Sequence, residues 1–563
     1  MLRFLILAGF CVGLSLQAAG QRHFIRLDQQ VVDASLAPWS AVLPGDTLWL
    51  EAGVRGPLLL LNFRGTEQKP LVIANRLGQT ILDTEFHYGI DLRYSSHIRI
   101  LGIPGEGYEY GIFIRRVSAP GSVGIAVNNK SSDVEIAWVE ITAVGFAGIM
   151  AKTDPHCNDS ETLRGNFVQR NTRIHHCYIH DVPGEAIYVG SSFYKGQEVN
   201  GCGLLLPSLL EGVYVHNNRI ENTGLDGIQV SSAVKDCYIH DNLLINCSYL
   251  RENAQMSGII IGGGSLAECH SNIILDSYGT GILLFGKGGS RVYNNLIVRP
   301  GMRYYPDDPS RKEHGIFVAD KSGDSPTFYA IYQNTIIQPK SDGIRILDDV
   351  TFPVFIMNNV IVDPGAFTEY ENDQTQHTGE DAYVFRLSQS IEVILMGNWF
   401  GRDLQQAGFA NPLADDYHPQ PISPLVDQGI GLEAEGIHHD LEGNPRPMGA
   451  GYDIGCFEYN PSLAVSEIYL GKDGPGSKKS AIIRGLRYGS NGAFQIELAP
   501  DLQGDLHLHV FDTGGRLVQQ QTVTLISREA DRIDLSIAEP GIYLLRLMLG
   551  NQVETIRMLS VKW

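Results

Sequence analysis

Two carboxylates, Glu185 and Asp226, hold the clearest chemical potential in this 563-residue chain. Repeated Gly-Ile or Ala-Ile steps align on Ile149, Ile187, Ile228 and Ile259. The position two before Ile then reads Ala147, Glu185, Asp226 and Ser257, and the position after it reads Met150, Tyr188, Gln229 and Ile260. If the steps stack as successive turns, the two acids lie one strand spacing, about 4.8 Å, apart. Two carboxylates that close cannot both ionise cheaply. They share a proton, which supplies an acid and a base, or they hold a cation such as Ca²⁺. The plain alternative is a pair of solvated acids at a strand entrance. Lys152 and His156, in the stretch Lys152-Thr153-Asp154-Pro155-His156 at the exit of the preceding step, are candidate bases. Tyr188, Gln229, Asp154, Tyr194 and Lys195 complete the set as candidate substrate-binding residues, with Glu185 and Asp226 as the calcium ligands if calcium is bound.

These residues need a scaffold that repeats. An asparagine recurs in one local frame at Asn218, Asn242, Asn272, Asn295, Asn334, Asn359 and Asn398, with a base period near 23 residues lengthened by insertions. The Gly-Ile ladder runs in phase with it, so each repeat carries at least two strands. Strand-like apolar spacing at such a period is the mark of a stacked solenoid. In a stack of parallel coils, Asn side chains bond along a column at the bend between strands, so the asparagines are expected to be structural. His175, His216, His240 and His270, continued by Tyr293 and Tyr332, form a second column. It is expected to be an outward stack of flat side chains, since ligands for one metal must converge. Insertions at 154–171 and 191–211 follow two successive Gly-Ile strands, and those at 247–256 and 300–313 precede others. Loops grouped in this way are expected to wall a groove over the acids, with Tyr88, Tyr110 and Tyr188 placed to stack on sugar rings.

On the two ladders, residues 40 to 459 resemble the right-handed parallel β-helix superfamily, which includes pectate and alginate lyases, polygalacturonases and epimerases. The resemblance implies an all-β fold, a right-handed parallel β-helix followed by a small C-terminal β-sandwich. It leaves function to the site. Asp154-Pro155-His156 is similar to a motif of alginate C5-epimerases, but neither flank of the longer motif is present. The Gly-His-Gly motif of polygalacturonases and the Trp-Ile-Asp-His motif of classical pectate lyases are absent. The expected activity is therefore on a long polysaccharide, with uronate-containing chains among the candidates, by β-elimination or hydrolysis. A non-catalytic glycan-binding or adhesive protein is the alternative, with a C5-epimerase behind both.

The ends of the chain speak to destination. Met1-Leu2-Arg3, the apolar run to Leu16 and Ala18-Ala19-Gly20 read as a secretory signal peptide, too short in its apolar core to be a membrane span. At the other end, Asn491-Gly492-Ala493-Phe494, Val510-Phe511-Asp512-Thr513-Gly514-Gly515 and Pro540-Gly541-Ile542-Tyr543 resemble the C-terminal sorting domain of type IX secretion cargo, although Tyr488-Gly489-Ser490 stands where that family usually has Asn-Pro. The resemblance implies the type IX machinery as a partner and attachment to, or release from, the outer cell surface. The expected layout is a signal peptide at 1–20, an N-terminal cap and first coils at 21–82, the β-helix at 83–410, a closing segment at 411–459, a linker at 460–484 and the sorting domain at 485–563. In the closing segment, 423–427, 440–446 and 453–458 are expected to cap the open end of the solenoid, with Arg446 held by carboxylates. A net charge of −20 repels nucleic acid and anionic lipid, and a monomer is expected. Of the seven cysteines beyond the signal peptide, Cys177 and Cys269 are expected in the core, and Cys157 and Cys202 lie in neighbouring insertions where export permits a bridge. No Cys-x-x-Cys spacing argues for zinc.

Overall fold

The computed structural model describes residues 22–460, apart from 253–254, 287, 302–311, 320–327, 348–352, 366–381 and 389, together with strands between 483 and 560. The expected signal peptide, most of the linker and most of the 300–313 insertion lie outside the described residues. Residues 22–401 wind into stacked coils with three faces. One coil runs through the strand Ile228–Val230, then Ala233–His240, a bend at Asn242, Leu243–Ile245 and the next coil's Ser257–Ile261. The Gly-Ile strands form one 12-stranded sheet, and the two flanks of the Asn bend form the other two faces, joined as a 23-stranded sheet. Pairing within the solenoid is parallel and in register, with Ile149, Ile187, Ile228, Ile259, Ile282, Ile316 and Ile344 stacked in one column.

Inward Ile, Val and Leu from all three faces make one continuous buried core. The Gly of each Gly-Ile step is dictated by crowding. At Gly281 a Cβ would meet Ile297 Cγ2 at 2.5 Å and the Gly315 carbonyl of the next coil at 2.6 Å. The Asn ladder has a complete physical account. Asn272 Oδ1 accepts from both the backbone N–H (3.2 Å) and the Nδ2 (2.9 Å) of Asn242, while Asn272 Nδ2 donates to Asn295 Oδ1 at 3.0 Å. The pattern runs unbroken from Asn218 to Asn398, and Cys177 occupies the top rung, its N–H donating to Asn218 Oδ1. The preceding residue turns the chain through the left-handed region, at Asp241 (φ 53°) and Asn294 (φ 54°) among others, a conformation that short polar side chains tolerate. The His column is a stack as well. His216 and His240 lie 4.9 Å apart and 5° from parallel, His240 and His270 4.9 Å and 2°, and Tyr293 continues the column at 4.6 Å. Cys177 and Cys269 are buried in the core.

The closing segment departs from expectation. Its contacts run back along the flank of the last coils: Asn294 Nδ2 donates to the His439 carbonyl, Asn358 Nδ2 to the Ile430 carbonyl, and Cys456 N–H to Thr335 Oγ1. Its Phe409, Tyr417, Leu425, Ile454 and Phe457 pack on the outward side chains Leu296, Val298, Ile337, Val360 and Val362. It is a strap over a side wall. The physical reason is that these outward positions are apolar and need cover. Arg446 is held as expected, its Nη1 donating to Glu458 Oε1 at 2.7 Å with both side chains buried. The C-terminal strands form antiparallel three- and four-stranded sheets around a core of their own.

Candidate functional site

Glu185 and Asp226 stand two residues before the strands Ile187–Val189 and Ile228–Val230, on paired rungs whose Ile187 and Ile228 are in register. Both are fully buried, at 0% exposure. The open, solvated groove floor is corrected by this: Tyr188 and Gln229 retain 7% and 5% exposure, and Tyr110 is buried too, so of the three tyrosines expected to stack on sugars only Tyr88 stays half-open. The cover comes from the insertion at 247–256. Gln255 Nε2 donates to Glu185 Oε1 at 3.4 Å, and Ser257 N–H donates to Asp226 Oδ1 at 2.7 Å. Glu185 Oε2 and Asp226 Oδ2 have no hydrogen-bond partner. Burial pushes the Glu185 carboxyl up to about 7, and Lys152 pulls it back only in part. Burial, then the neighbouring Glu185, raises Asp226 well above the usual carboxylate range. The pair therefore keeps a proton at neutral pH.

Lys152 is brought to the pair but not as a base. Its ammonium sits 3.0 Å from Asp154 Oδ1 and 5.0 Å above the Tyr188 ring. Burial pulls its pKa down, yet Asp154, Tyr188 and Glu185 together outweigh that, so it ends above the ordinary lysine value and stays charged. His156 points to its own loop. Its Nδ1 accepts from Asn158 N–H at 3.2 Å and its backbone bridges Asp159. Ser192, which the sequence did not single out, ties the floor together: its Oγ lies 2.5 Å from the Tyr188 hydroxyl and accepts from Gln229 Nε2 at 2.7 Å. Tyr194 packs against the Gly263–Gly264 turn and beneath the Arg164 guanidinium, 4.4 Å from its ring centroid. Lys195 is exposed. The Cys157–Cys202 disulfide, with Cα atoms 5.8 Å apart, joins the two insertions as one wall.

The polar column does not end at Ser257. Extended by the same alignment it continues through Thr280, His314 and Asp342, which sequence reading left out although the Ile frame reaches them. Thr280 Oγ1 donates to Glu313 Oε2 at 3.1 Å, His314 Nδ1 lies 3.3 Å from Asp342 Oδ2, and Arg345 Nη1 donates to the same oxygen at 3.0 Å. As a calcium site the first pair falls short. Two carboxyls supply few of the six to eight oxygens that Ca²⁺ takes, and among the described residues no three His, Cys, Asp or Glu side chains gather as metal ligands.

A family model for the right-handed beta helix region matches residues 116–297 and 208–373, and one for the secretion system C-terminal sorting domain matches 490–562. The chain is a right-handed parallel β-helix protein with a type IX secretion sorting domain. That tail implies secretion and attachment at the cell surface. Among the described residues no helix is long and apolar enough to cross a membrane. A search of curated protein sequences finds no match. Similar solved structures are the A-module of a mannuronan C-5 epimerase from Azotobacter vinelandii (13% identity, TM-score 0.33, covering 64% of this chain and 87% of that one), the enzymatically active domain of tailspike protein 2 of bacteriophage CBA120 (9%, 0.33, 92% and 66%) and XylC in complex with xylose (11%, 0.32, 88% and 95%). At such values they carry nothing about what this β-helix acts on.

Proposed function

We propose that this β-helix protein is an exported glycoside hydrolase in which Glu185 and Asp226 are the acid–base pair. One observation carries the reading: two fully buried carboxyls on neighbouring rungs, each with an oxygen left without a partner. Burying such groups unsatisfied costs about 1–3 kcal/mol apiece, and among the described residues no other buried carboxylate oxygen is left that way. A pair holding one proton has what glycosidic cleavage needs. The protonated member donates to the leaving oxygen, and the ionised one attacks the anomeric carbon or activates water. Access requires the Gln255 amide to give up its long contact to Glu185.

The same geometry weighs against β-elimination at a uronate. That reaction needs a base and a cation to neutralise the substrate carboxylate, whereas Lys152 is charged and already committed to Asp154, and His156 lies outside the pair. The zero exposure of the pair also supports a second reading, in which the face binds glycan without cleaving it. The test incubates the full exported chain with neutral and uronate polysaccharides, with and without Ca²⁺, following reducing ends and the absorbance of unsaturated ends together. New reducing ends without absorbance, lost in Glu185→Gln, are expected. Absorbance would instead establish a lyase, dependence on Ca²⁺ would restore the metal reading, and retention without cleavage would leave the binding protein.

A further inference from the structure

Between two anchored residues of the groove wall, one aromatic ring is held out in water. Ser192 is tied to the floor through Tyr188 and Gln229, at 2.5 and 2.7 Å. Tyr194 is seated on the Gly263–Gly264 turn, so tightly that a Cβ at Gly264 would fall 2.1 Å from its ring, and Arg164 clamps it from above while donating to its carbonyl. Phe193 lies between them, its N–H donating to Ser191 Oγ at 3.3 Å, and is 53% exposed. Arg164 is held in turn by the Pro207 carbonyl, and the Cys157–Cys202 disulfide closes the same wall. Single exposed apolar side chains are ordinary, as at Leu413, 97% exposed; what sets Phe193 apart is that the residues on both sides of it are anchored. Exposed apolar surface on a rigid mount beside a buried polar site is the arrangement of a binding contact whose ordering is already done.

We propose that Phe193 is a substrate-positioning platform, stacking on the apolar C–H face of a pyranose ring of a polysaccharide and so setting the chain over the Glu185–Asp226 pair. The inference rests on the glycan reading of that face, though not on its chemistry. The surface beside it suits this occupant, because the exposed Ser192 hydroxyl, held in place by the buried Tyr188 and Gln229, is a neutral partner for a sugar hydroxyl, and the nearby Lys152 charge is balanced by Asp154. An anionic segment would find no uncommitted cation among these residues.

Affinity electrophoresis of the full chain through gels containing xylan, a β-glucan, polygalacturonate or alginate tests the assignment, alongside the hydrolysis assay. Retardation by at least one neutral glycan is expected, weakened at least 10-fold in Phe193→Ala, retained in Phe193→Trp, and unchanged in Leu413→Ala, a control on an exposed apolar side chain of the closing segment. Glu185→Gln should keep the retardation and lose cleavage. Retardation of wild type and Phe193→Ala to the same extent overturns the platform while leaving hydrolysis standing. Retardation lost in Phe193→Ala with no cleavage in wild type keeps the platform and overturns the hydrolase. A protein retarded by none of the four gels overturns both.

Discussion

Two regions of this molecule bury several acids together, and they do it in opposite ways. In the clasp of the strap, every carboxylate oxygen has a donor. Glu458 accepts from Arg446, Asp453 N–H and Met448 N–H, Asp453 accepts from Asp427 N–H and Tyr459 N–H, and Asp440 accepts from Glu442, Asn444 and Glu458. At the sheet corner, Glu185 and Asp226 share one long amide contact and one backbone N–H, with an oxygen on each left over. A raised pKa does not separate the two, since burial pushes Asp453 as well as Glu185 to about 7. Satisfaction does. A fully bonded buried acid is fastening something, while an unbonded one is kept for a partner that arrives later.

The sharpest way to break this contrast is to neutralise each region. Glu185→Gln and Asp226→Asn are expected to lower kcat by at least about 10²-fold with the melting temperature unchanged or higher, because each removes an unsatisfied acid. Arg446→Met is expected to leave the chemistry of the corner untouched and to destabilise the strap by about 3–5 kcal/mol, the usual cost of stranding the partner of a buried pair. Thermal melts of the three variants check it. A loss of stability in Glu185→Gln equal to that in Arg446→Met would make the corner a second clasp.

A pH series sharpens the same contrast. The Glu185 carboxyl, ordinarily near 4.5, titrates near 7 in the folded chain, so the native state holds its proton longer than the unfolded chain does. Its contribution is whole below about 4.5 and is lost as pH rises through 7. Asp453 acts in the same direction, so the comparison is made as a difference: the wild-type melting temperature should fall more steeply between pH 5 and 8 than that of Glu185→Gln. The histidine column works the other way. Burial depresses His270 to about 4 from 6.5, so its contribution is present above 6.5 and fades as pH falls toward 4. Parallel curves for wild type and Glu185→Gln would remove Glu185 as the titrating group.

What could be read from the residues was what repeats. One Asn per coil, one Gly-Ile per coil and the His column announce themselves because stacking forces like onto like, and the Ile frame alone puts Glu185 next to Asp226. What comes from segments that occur once was not legible. Gln255 covers the pair from an insertion with no counterpart in other coils, and so turns an expected open floor into a buried one. Asp154, two residues from Lys152, holds the ammonium that sequence alone offers as a base. Leu296, Val298, Ile337, Val360 and Val362 look outward, yet they are apolar because a strap more than 40 residues later in the chain lies on them. Thr280, His314 and Asp342 were within reach of the same frame, which continues through Ile282, Ile316 and Ile344, and were passed over because the groove was drawn over the four rungs from Ile149 to Ile259 alone.

The smallest expected effect tests whether the ladder is as purely structural as its bonding says. Asn272→Ala removes the Oδ1 that accepts from both Asn242 N–H and Asn242 Nδ2, and the Nδ2 that donates to the Ile239 carbonyl and to Asn295. The buried Asn242 N–H is left bare, while Asn242 Nδ2 keeps the Val215 and His240 carbonyls, a loss of about 1–3 kcal/mol. Because each coil touches only its neighbours, the damage should be confined to the rungs on either side, visible as faster amide exchange at 239–244 and 269–275. Asn398→Ala, at the half-buried end of the ladder with no further rung to donate to, strands only the Asn359 N–H and should cost less. Activity should be kept in both, since Glu185 and Asp226 lie on a different corner of the coil from the Asn bend. If Asn272→Ala abolished cleavage without loosening its own rungs, the division between a ladder that holds and a corner that acts would fail.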